Sequence, residues 1–535
     1  MFTRSFVRMF SSAKSSHVTK SSIKSKIFVG LVGSGLAYDG FVNEFGTTQA
    51  VTRFLRSLRI AVSISLDYTF SLWGLEEGTE AYSAKKKEVH LRCANRMLKG
   101  CLANGGLYIK VGQGFATVNH ILPPEYTETL QKLHNECLTR KKDEVRKVFQ
   151  EEFGKSPEDL YKDFNYTPIA AASLAQVFKA TTCDGKNVAV KVQYIDLQKR
   201  FSGDLGTIIF LQDIIEIVHK NYNFGWIIKD IRKNLERELD FENEARNSER
   251  CAKDLKKFSY VYIPKVRWDL TSTRVLTTEF IDGIKMNKTD EIKKKGFDLA
   301  DIDVKIFTTF SEQIFNTGFV HGDPHPGNVL IRHGKCGKAE LVLLDHGLYE
   351  TIPHNVRDSL CHFWEAIVLK DHKTMKKYAT KLNVKDHYRF AEILLQRPLE
   401  TKGKFTTRLT DEEIAYMQKI ARQRFDLIME TLKEMPRNLI FIVRNLNIIR
   451  AVARDHGDPV NRPKLMARHA VKCIHRDQGI LATVLTFVRR VRFEFALLQM
   501  SFHYWFITTY LALLTKLGRA PETKSLFQIN TKNRA

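Results

Sequence analysis

The sequence predicts an α+β protein of two lobes, the first rich in strands and the second mainly helical, with helical segments at both ends. Three observations predict this fold. Short apolar runs typical of strands are concentrated between 161 and 282, helical patterns dominate on either side, and a proline-rich polar loop at 321–328 precedes a short apolar strand. At 535 residues, the chain is long enough for one large domain or two to three medium ones.

The composition is that of a globular protein, with 43% hydrophobic and 27% charged residues, but the formal net charge of +24 is unusual. Such a charge is typical of proteins that bind nucleic acid or an anionic membrane, or of a basic targeting segment. We expect no nucleic-acid partner, because the sequence has no zinc-finger spacing, basic zipper or aromatic RNA-binding motif. The eight cysteines are scattered without a C-x-x-C pair, which argues against structural zinc or a disulfide framework.

Residues 1–50 are predicted to be a targeting region. The first 38 residues contain six lysines and arginines, many serines and no acidic residue, which is typical of a mitochondrial presequence; a disordered basic tail is the alternative. The apolar stretch at 27–38 is shorter than the roughly 20 residues of a membrane span. It remains a candidate for a short membrane anchor or the apolar part of a sorting signal.

Residues 51–160 are predicted to form a helical extension. Within it, K-x-G-Q at 110–113 places Lys110 and Gln113 on one side of a helix, opposite the apolar side that contains Leu107 and Val111. We expect Pro123-Pro124 to end this helix. Taken alone, the tetrapeptide is more typical of an ordinary solvated helix face than of a functional motif.

Residues 161–282 are predicted to form the first lobe. Two strand-like runs and the turn Asp184-Gly185 lead to a strand at 187–193, in which Lys191 faces away from the apolar side. A lysine at this place in a protein kinase pairs with the α and β phosphates of the nucleotide. The loop that would cover the nucleotide is rich in alanine instead of glycine, and it comprises Ala170, Ala171, Ala172 and Ser173. Alanine makes such a loop stiffer, so we expect a changed mode of nucleotide binding.

An acidic helix is predicted over 225–252, where E-R-E-L-D-F-E-N-E occupies 236–244. One glutamate of this helix should pair with Lys191, and Glu244 is the chosen candidate.

Residues 283–480 are predicted to form the second lobe, which carries the loop H-G-D-P-H-P-G-N at 321–328. Its prolines exclude regular helix or interior strand, so Asp323 and Asn328 stand on a rigid loop five residues apart. The same spacing separates the catalytic aspartate from the metal-binding asparagine in protein kinases. A buried strand over 340–345 should then present Asp345 to a cleft. Carboxylate and amide oxygens of this kind bind the magnesium that bridges ATP phosphates.

Residues 481–535 are predicted to form a hydrophobic helical tail. Between 495 and 515 the sequence contains no formal charge, and basic residues flank the stretch on both sides. Its length suits a membrane span, whereas a buried C-terminal helix is an equal alternative.

Together these motifs resemble the UbiB (aarF-domain) family of atypical kinases over roughly residues 80–480. The resemblance implies a protein-kinase-like fold whose helical N-terminal extension lies over the active site, with ATP and Mg²⁺ as cofactors. It implies the following roles: Asp323 and Lys191 catalytic; Ala170, Ala171, Ala172, Ser173, Lys191 and Glu244 in ATP binding; Asn328 and Asp345 in metal binding; and Lys110, Gly112, Gln113, Glu238 and Asp240 in a lid.

Two departures from protein kinases matter for regulation. The metal-binding triplet is D-H-G with His346 at its centre, and Gly322 replaces the arginine of H-R-D. Because that arginine usually links the catalytic loop to an activation-loop phosphate, regulation by such phosphorylation is doubtful.

The resemblance implies a kinase or ATPase at the mitochondrial inner membrane. It would act on, or be regulated by, lipids or small molecules, and it would support coenzyme Q and lipid homeostasis. Nucleotide and anionic lipid are the expected partners. A catalytically weak, nucleotide-gated scaffold is the alternative, favoured by the alanine-rich loop. A small-molecule kinase of the aminoglycoside type is a third class, against which K-x-G-Q and E-L-D-F argue.

Overall fold

The computed structural model describes residues 46–517 except 77, 118–121, 135–141, 172–173, 219–234, 335–336, 400–412, 414–416, 418–430, 432–434 and 475–479. Residues 1–45 of the predicted targeting region, with its apolar stretch at 27–38, lie outside the described residues, and residues 46–50 are helical. The described part has the α+β, two-lobed, protein-kinase-like fold that the sequence predicts, with the helical extension against the cleft.

Up to residue 134, the described part of the extension contains four α-helices: α1 (Gly46–Ser71), α2 (Glu80–Asn104), α3 (Leu107–Thr117) and α4 (Pro124–Leu130). Asp67 of α1 accepts hydrogen bonds from Arg92 and Arg96 of α2, which fixes the two long helices against each other. The described part of α3 runs to Thr117, and residues 118–121 lie outside the described residues, so the expectation that Pro123-Pro124 ends α3 stays a prediction; Pro124 begins α4. Proline suits this first helical position, where its missing N–H has no helical acceptor.

The first lobe is built on an antiparallel sheet in the order β1-β2-β3-β5, which α5 covers. Val188, Val190 and Val192 on one face of β3 are each at most 2% exposed, and they share a core with Phe149 of α5. This alternation leaves Lys191 on the opposite face, towards the cleft. The elements of this lobe are α5 (Lys142–Phe153), α6 (Pro157–Leu160), β1 (Tyr161–Ala171), β2 (Ala175–Thr182), β3 (Asn187–Gln193), α7 (Leu197–Val218), α8 (Phe241–Asp254), β4 (Val261–Tyr262) and β5 (Val275–Glu279).

The single helix expected over 225–252 is wrong in its continuity. Residues 235–238 are helical, the helix breaks at 239–240, and α8 begins at Phe241. Asp240 has extended backbone, and its side chain accepts a hydrogen bond from the Asn243 N–H at 3.1 Å, as an N-terminal cap does. The break separates Glu238, which faces the extension, from Glu244, which faces β3.

The second lobe has two small sheets and a helical body, with one large apolar core. One sheet has the order β4-β9-β8-β6, and β7 pairs with β10 in the other. Its elements are β6 (Ile284–Lys285), α9 (Thr289–Lys294), α10 (Leu299–Ser311), β7 (Phe319–His321), β8 (Val329–His333), β9 (Ala339–Leu343), β10 (Tyr349–Thr351), α11 (His354–Leu369), α12 (His372–Lys381), α13 (His387–Leu395), α14 (Arg437–Asp455) and α15 (Arg462–Cys473).

The tail forms one long helix, α16 (Ile480–Lys516). The buried-helix alternative is wrong for most of its second half, since Phe495, Leu498, Phe502 and Trp505 are all more than half exposed. Of the described helices, none is long and apolar enough to cross a membrane.

Candidate active site

The cleft between the lobes contains an ion pair between strand β3 and helix α8. The Nζ of Lys191 lies 2.8 Å from both carboxylate oxygens of Glu244. Burial alone lowers the pKa of Lys191, but the carboxylates of Glu244 and Asp345 outweigh it and raise that pKa above its usual value. The ammonium group is therefore charged at neutral pH and is held in a fixed position by a helix of the first lobe.

The extension reaches the same cleft through Lys110 on α3. The Nζ of Lys110 lies 2.6 Å from Glu238, just before α8. Burial lowers the pKa of Lys110, but Glu238, Asp323 and Asp345 together raise it above its usual value. Lys110 thus places a second cation within electrostatic reach of both aspartates of the second lobe.

The other predicted lid residues have different contacts. A Cβ at Gly112 would lie 2.4 Å from Leu133 Cδ1 and 3.1 Å from Cys101 Sγ, so the small residue permits close packing of α3 within the extension. Gln113 donates from Nε2 to the Leu133 carbonyl at 2.9 Å. Gln113 therefore braces the extension, Asp240 caps α8, and Lys110 with Glu238 forms the described contact across to α8.

The predicted metal ligands meet where β9 leaves its sheet. Asp345 Oδ2 accepts from the Asn328 amide at 3.2 Å, and Oδ1 accepts from the Gly347 N–H at 3.0 Å. Burial raises the pKa of Asp345, but Lys191, this backbone donor and Lys110 outweigh it and hold that pKa far below its usual value. Asp345 is therefore a carboxylate at neutral pH.

This donor set suits a magnesium ion that is carried by nucleotide phosphates. Mg²⁺ prefers hard oxygen ligands and takes one or two of them from protein when phosphate and water supply the rest. Within the part of the chain that the structure describes, no group of three or more His, Cys, Asp or Glu side chains could hold a metal ion without such help. One carboxylate and one amide side chain are what this mode of binding requires.

Three carboxyl-bearing residues converge around Gly347. A Cβ at this position would lie 3.4 Å from Asp345 Oδ1 and 3.7 Å from Glu238 Cγ and from Glu244 Oε2. Asp345, Glu238 and Glu244 therefore meet within one small volume. Two lysines face these acids, so the cleft is a tightly coupled network of charges.

The catalytic-loop carboxylate has a partner that the sequence did not reveal. Asp323 Oδ2 lies 3.0 Å from an Nη of Arg444, which stands on α14, 121 residues later. Burial raises the pKa of Asp323, but Arg444 and Lys110 outweigh it and lower that pKa. The catalytic loop therefore has an arginine partner, although this arginine comes from a different element than in the H-R-D pattern and contacts the aspartate itself.

Helix α14 contacts the catalytic loop through residues three and four positions apart, which lie on one helix face. Phe441 packs on Gly322, where a Cβ would lie 2.9 Å from the phenyl ring and 2.8 Å from Leu348. Asn445 donates to the His321 carbonyl at 2.8 Å. A side chain at Gly322 would push α14 away, which explains why glycine replaces the usual arginine here.

His346 fills the centre of the D-H-G triplet as a buried, neutral ring. Its Nε2 lies 3.1 Å from the Leu343 carbonyl, and its Nδ1 lies 2.9 Å from the Tyr349 hydroxyl. A carbonyl accepts only, so Nε2 carries the proton and the tyrosine donates to Nδ1. Burial lowers the pKa of His346 to about 3, in agreement with a neutral ring. The backbone carbonyl of His346 accepts from Asn247 of α8 at 3.1 Å, which links the triplet to the helix that carries Glu244.

The alanine-rich loop is described only in part. Ala170 and Ala171 end β1 and pair with Val177 and Gln176 of β2, while Ala172 and Ser173 lie outside the described residues.

The chain is similar in sequence to known kinase-like proteins. The model of the ABC1 atypical kinase-like domain matches residues 132–379. The chain is 35% identical to AarF domain-containing protein kinase 1 of Mus musculus, over 88% of this chain and 89% of the mouse protein. The chain belongs to the ABC1/AarF family of atypical kinases.

Two further family members show the breadth of the match. A probable serine/threonine-protein kinase, abkD, of Dictyostelium discoideum is 38% identical over 90% of this chain and 70% of its own length. AarF domain-containing kinase 1 of Drosophila melanogaster is 33% identical over 79% of this chain and 84% of its own. The family resemblance predicted from the motifs is thereby confirmed, and the alignment with the mouse protein extends well beyond the ABC1 segment.

Proposed function

We propose that this chain binds Mg-ATP and acts as an atypical phosphotransferase or ATPase. The observation that carries the proposal is the coupled charge network of the cleft, in which Lys191, Glu244 and Asp345 meet beside Lys110 and Asp323. A protein-kinase-like site uses a lysine on the phosphates, a fixed carboxylate for the metal and a second carboxylate for the acceptor. The proposal is supported by one lysine and two carboxylates of the cleft that are charged at neutral pH.

The residues would divide the work as follows. Lys191, oriented by Glu244, would bind the phosphates beneath a loop formed by Ala170, Ala171, Ala172 and Ser173. Asn328 and Asp345 would hold Mg²⁺, which supplies charge neutralisation for the transferring phosphoryl group. Asp323, fixed by Arg444, would orient the acceptor hydroxyl or water and accept its proton. Lys110 and Glu238 would hold the extension as a lid, Gly112 and Gln113 would keep that lid packed, and Asp240 would cap the helix that carries Glu244.

A lid at this place favours a small or lipid-like acceptor over a folded protein, because α3 contributes Lys110 to the region where a bulky substrate would approach Asp323. We further propose that the chain works at the mitochondrial inner membrane, where anionic lipid would regulate it or supply its substrate. The basic, acid-free sequence of residues 1–38 and the net charge of +24 support that location. Support of coenzyme Q and lipid homeostasis is the role that the family membership favours.

The test is ATP hydrolysis by the full chain with and without liposomes that contain anionic lipid, compared with Asp345→Asn. We expect turnover that depends on Mg²⁺, increases with anionic lipid and is lost in the variant, together with metal-dependent nucleotide affinity. Unchanged Mg-ATP affinity in Asp345→Asn would contradict the metal site.

A nucleotide-gated scaffold is the second candidate, favoured by the alanine-rich loop, which cannot easily adopt the φ > 0 conformations that a glycine-rich loop adopts over the phosphates. Tight Mg-ATP binding without turnover, both with and without lipid, would favour it.

A further inference from the structure

Helix α16 presents an apolar stripe to solvent along most of its length. The stripe repeats at alternating steps of four and three residues, and its side chains are between 41% and 68% exposed. Its members are Val484, Val488, Val491, Phe495, Leu498, Phe502 and Trp505. At roughly 3.6 residues per turn, such steps stay on one side of the helix.

Up to Leu497, the opposite side of α16 is packed on the second lobe. Ala482, Phe493 and Leu497 are each at most 6% exposed, half a turn away from the stripe. Two ion pairs hold the helix there: an Nη of Arg489 lies 2.6 Å from Glu365, and the Nε of Arg468 lies 2.7 Å from Glu494. The helix is therefore fixed on its packed side, and the stripe is a defined surface of the folded protein.

The chemistry of the stripe suits a bilayer surface. Large aromatic side chains dominate its second half, where Phe506 and Tyr510 flank it and are 57% and 54% exposed. Tryptophan and tyrosine are enriched at the membrane–water boundary, because their rings are apolar and their polar groups remain hydrated. Arg490 and Arg492 are exposed on either side of the stripe near its first half. Arginines beside a buried apolar face are attracted to anionic headgroups.

We propose that α16 docks its apolar stripe into the surface of an anionic bilayer, with Arg490 and Arg492 against lipid phosphates. The inference rests on the membrane location proposed above but does not depend on the nucleotide chemistry. A second copy of the chain fits this surface less well. Glu494 is the one acidic residue in the sequence of α16 and is already paired with Arg468, so two facing stripes would bring arginines together.

The test uses the full chain and sedimentation with vesicles of phosphatidylcholine alone or of phosphatidylcholine and phosphatidylglycerol in equal parts. We expect Phe502→Gln to weaken binding to the anionic vesicles by about tenfold or more, because it removes one inserted phenyl ring. Arg490→Gln with Arg492→Gln should weaken binding to anionic vesicles by about fivefold for each arginine and leave binding to neutral vesicles unchanged. Ile217→Gln is the matched control, since Ile217 is 76% exposed on α7 and should have no effect.

A local probe separates α16 from any contribution of residues 1–45, which are common to all these variants. Brominated lipid should quench a component of the fluorescence that disappears in Trp505→Phe. Quenching that is identical in Trp505→Phe, or equal vesicle binding by Phe502→Gln and the parent, overturns the proposal. So does a dimer in solution that Phe502→Gln dissociates without any effect on vesicle binding. Mg-ATP affinity measured without vesicles should be the same in all variants, so failure here leaves the nucleotide proposal standing.

Discussion

Replacement of Arg444 by glutamine should separate the placement of Asp323, the proposed catalytic carboxylate, from nucleotide binding. Arg444 and Asp323 form a half-buried ion pair, with side chains 30% and 28% exposed and 3.0 Å between the charged groups. Exposed pairs contribute at most about 1 kcal/mol, whereas removing one partner of a buried pair costs about 3–5 kcal/mol. An intermediate environment, with Lys110 still facing Asp323, gives an expected loss of about 2 kcal/mol in the free energy of unfolding at pH 7.

The pH dependence of this loss tests the electrostatic reasoning. Arg444 helps hold the pKa of Asp323 below its usual value, so the pair stabilises the fold above the unfolded pKa of Asp323, and the effect is lost as pH falls through the folded value. The difference between the parent and Arg444→Gln should thus be constant at neutral pH and shrink below about pH 4. Urea unfolding of both proteins across this range measures it, and Arg444→Lys should recover part of the difference.

The functional test compares the ATP turnover of Arg444→Gln with that of the parent protein. We expect Arg444→Gln to lower Mg-dependent ATP turnover by about tenfold or more, because Asp323 loses its fixed orientation. Mg-ATP affinity should change little, since Arg444 contacts neither Lys191 nor the metal ligands in the described structure. Normal turnover in Arg444→Gln, or a stability difference that is equally large at low pH, would refute the assignment of Arg444 as the residue that positions Asp323.

Three further predictions concern the cleft. Lys110→Ala should alter turnover or the preference between ATP and ADP without unfolding the chain; a large fall in melting temperature with unchanged preference would instead indicate an ordinary structural lysine. Gly322→Ala should destabilise the fold by about 1–3 kcal/mol in urea unfolding because its Cβ would overlap Leu348 and Phe441, whereas Gly203→Ala, with open space around it, should be neutral or stabilising. In the unfolded chain a histidine takes up a proton near pH 6.5, whereas burial lowers the pKa of His346 in the folded chain to about 3. Protonation below pH 6.5 therefore stabilises the unfolded state, and the free energy of unfolding falls as the pH decreases. His346→Phe should therefore reduce the loss between pH 8 and pH 5 by about 2 kcal/mol, and an unchanged pH profile would contradict the buried neutral ring.

The strands of the first lobe were the most predictable part of the fold. Three valines at alternate positions define the buried face of β3, and Asp184-Gly185 marks the turn before it, so local pattern alone placed Lys191 on the cleft side. The site aspartates were equally accessible to sequence reasoning, because prolines fix the loop that carries Asp323 and a short apolar strand fixes the position of Asp345.

The helix caps and distant partners were not predictable from local pattern. Glu238, Asp240 and Glu244 look alike on an uninterrupted acidic helix, and only the break at 239–240 gives them separate tasks. The sequence offered no local signal for Arg444, because one arginine in a long basic helical region is indistinguishable from its neighbours until the chain folds back over 121 residues.

Each of the two departures from the protein-kinase pattern, at Gly322 and at His346, is matched by contacts of the folded chain. Without the H-R-D arginine, the catalytic loop cannot be tied to a phosphorylated activation loop in the usual way. Here Gly322 lets α14 approach the loop closely, and that helix supplies Arg444 to Asp323 from an element that is already folded. His346 meanwhile links the metal loop to Tyr349 and, through its carbonyl, to α8. The Lys110–Glu238 contact joins the extension to the first lobe, so we expect it to be the control point of the cleft, because its rupture would remove a cation from both carboxylates at once.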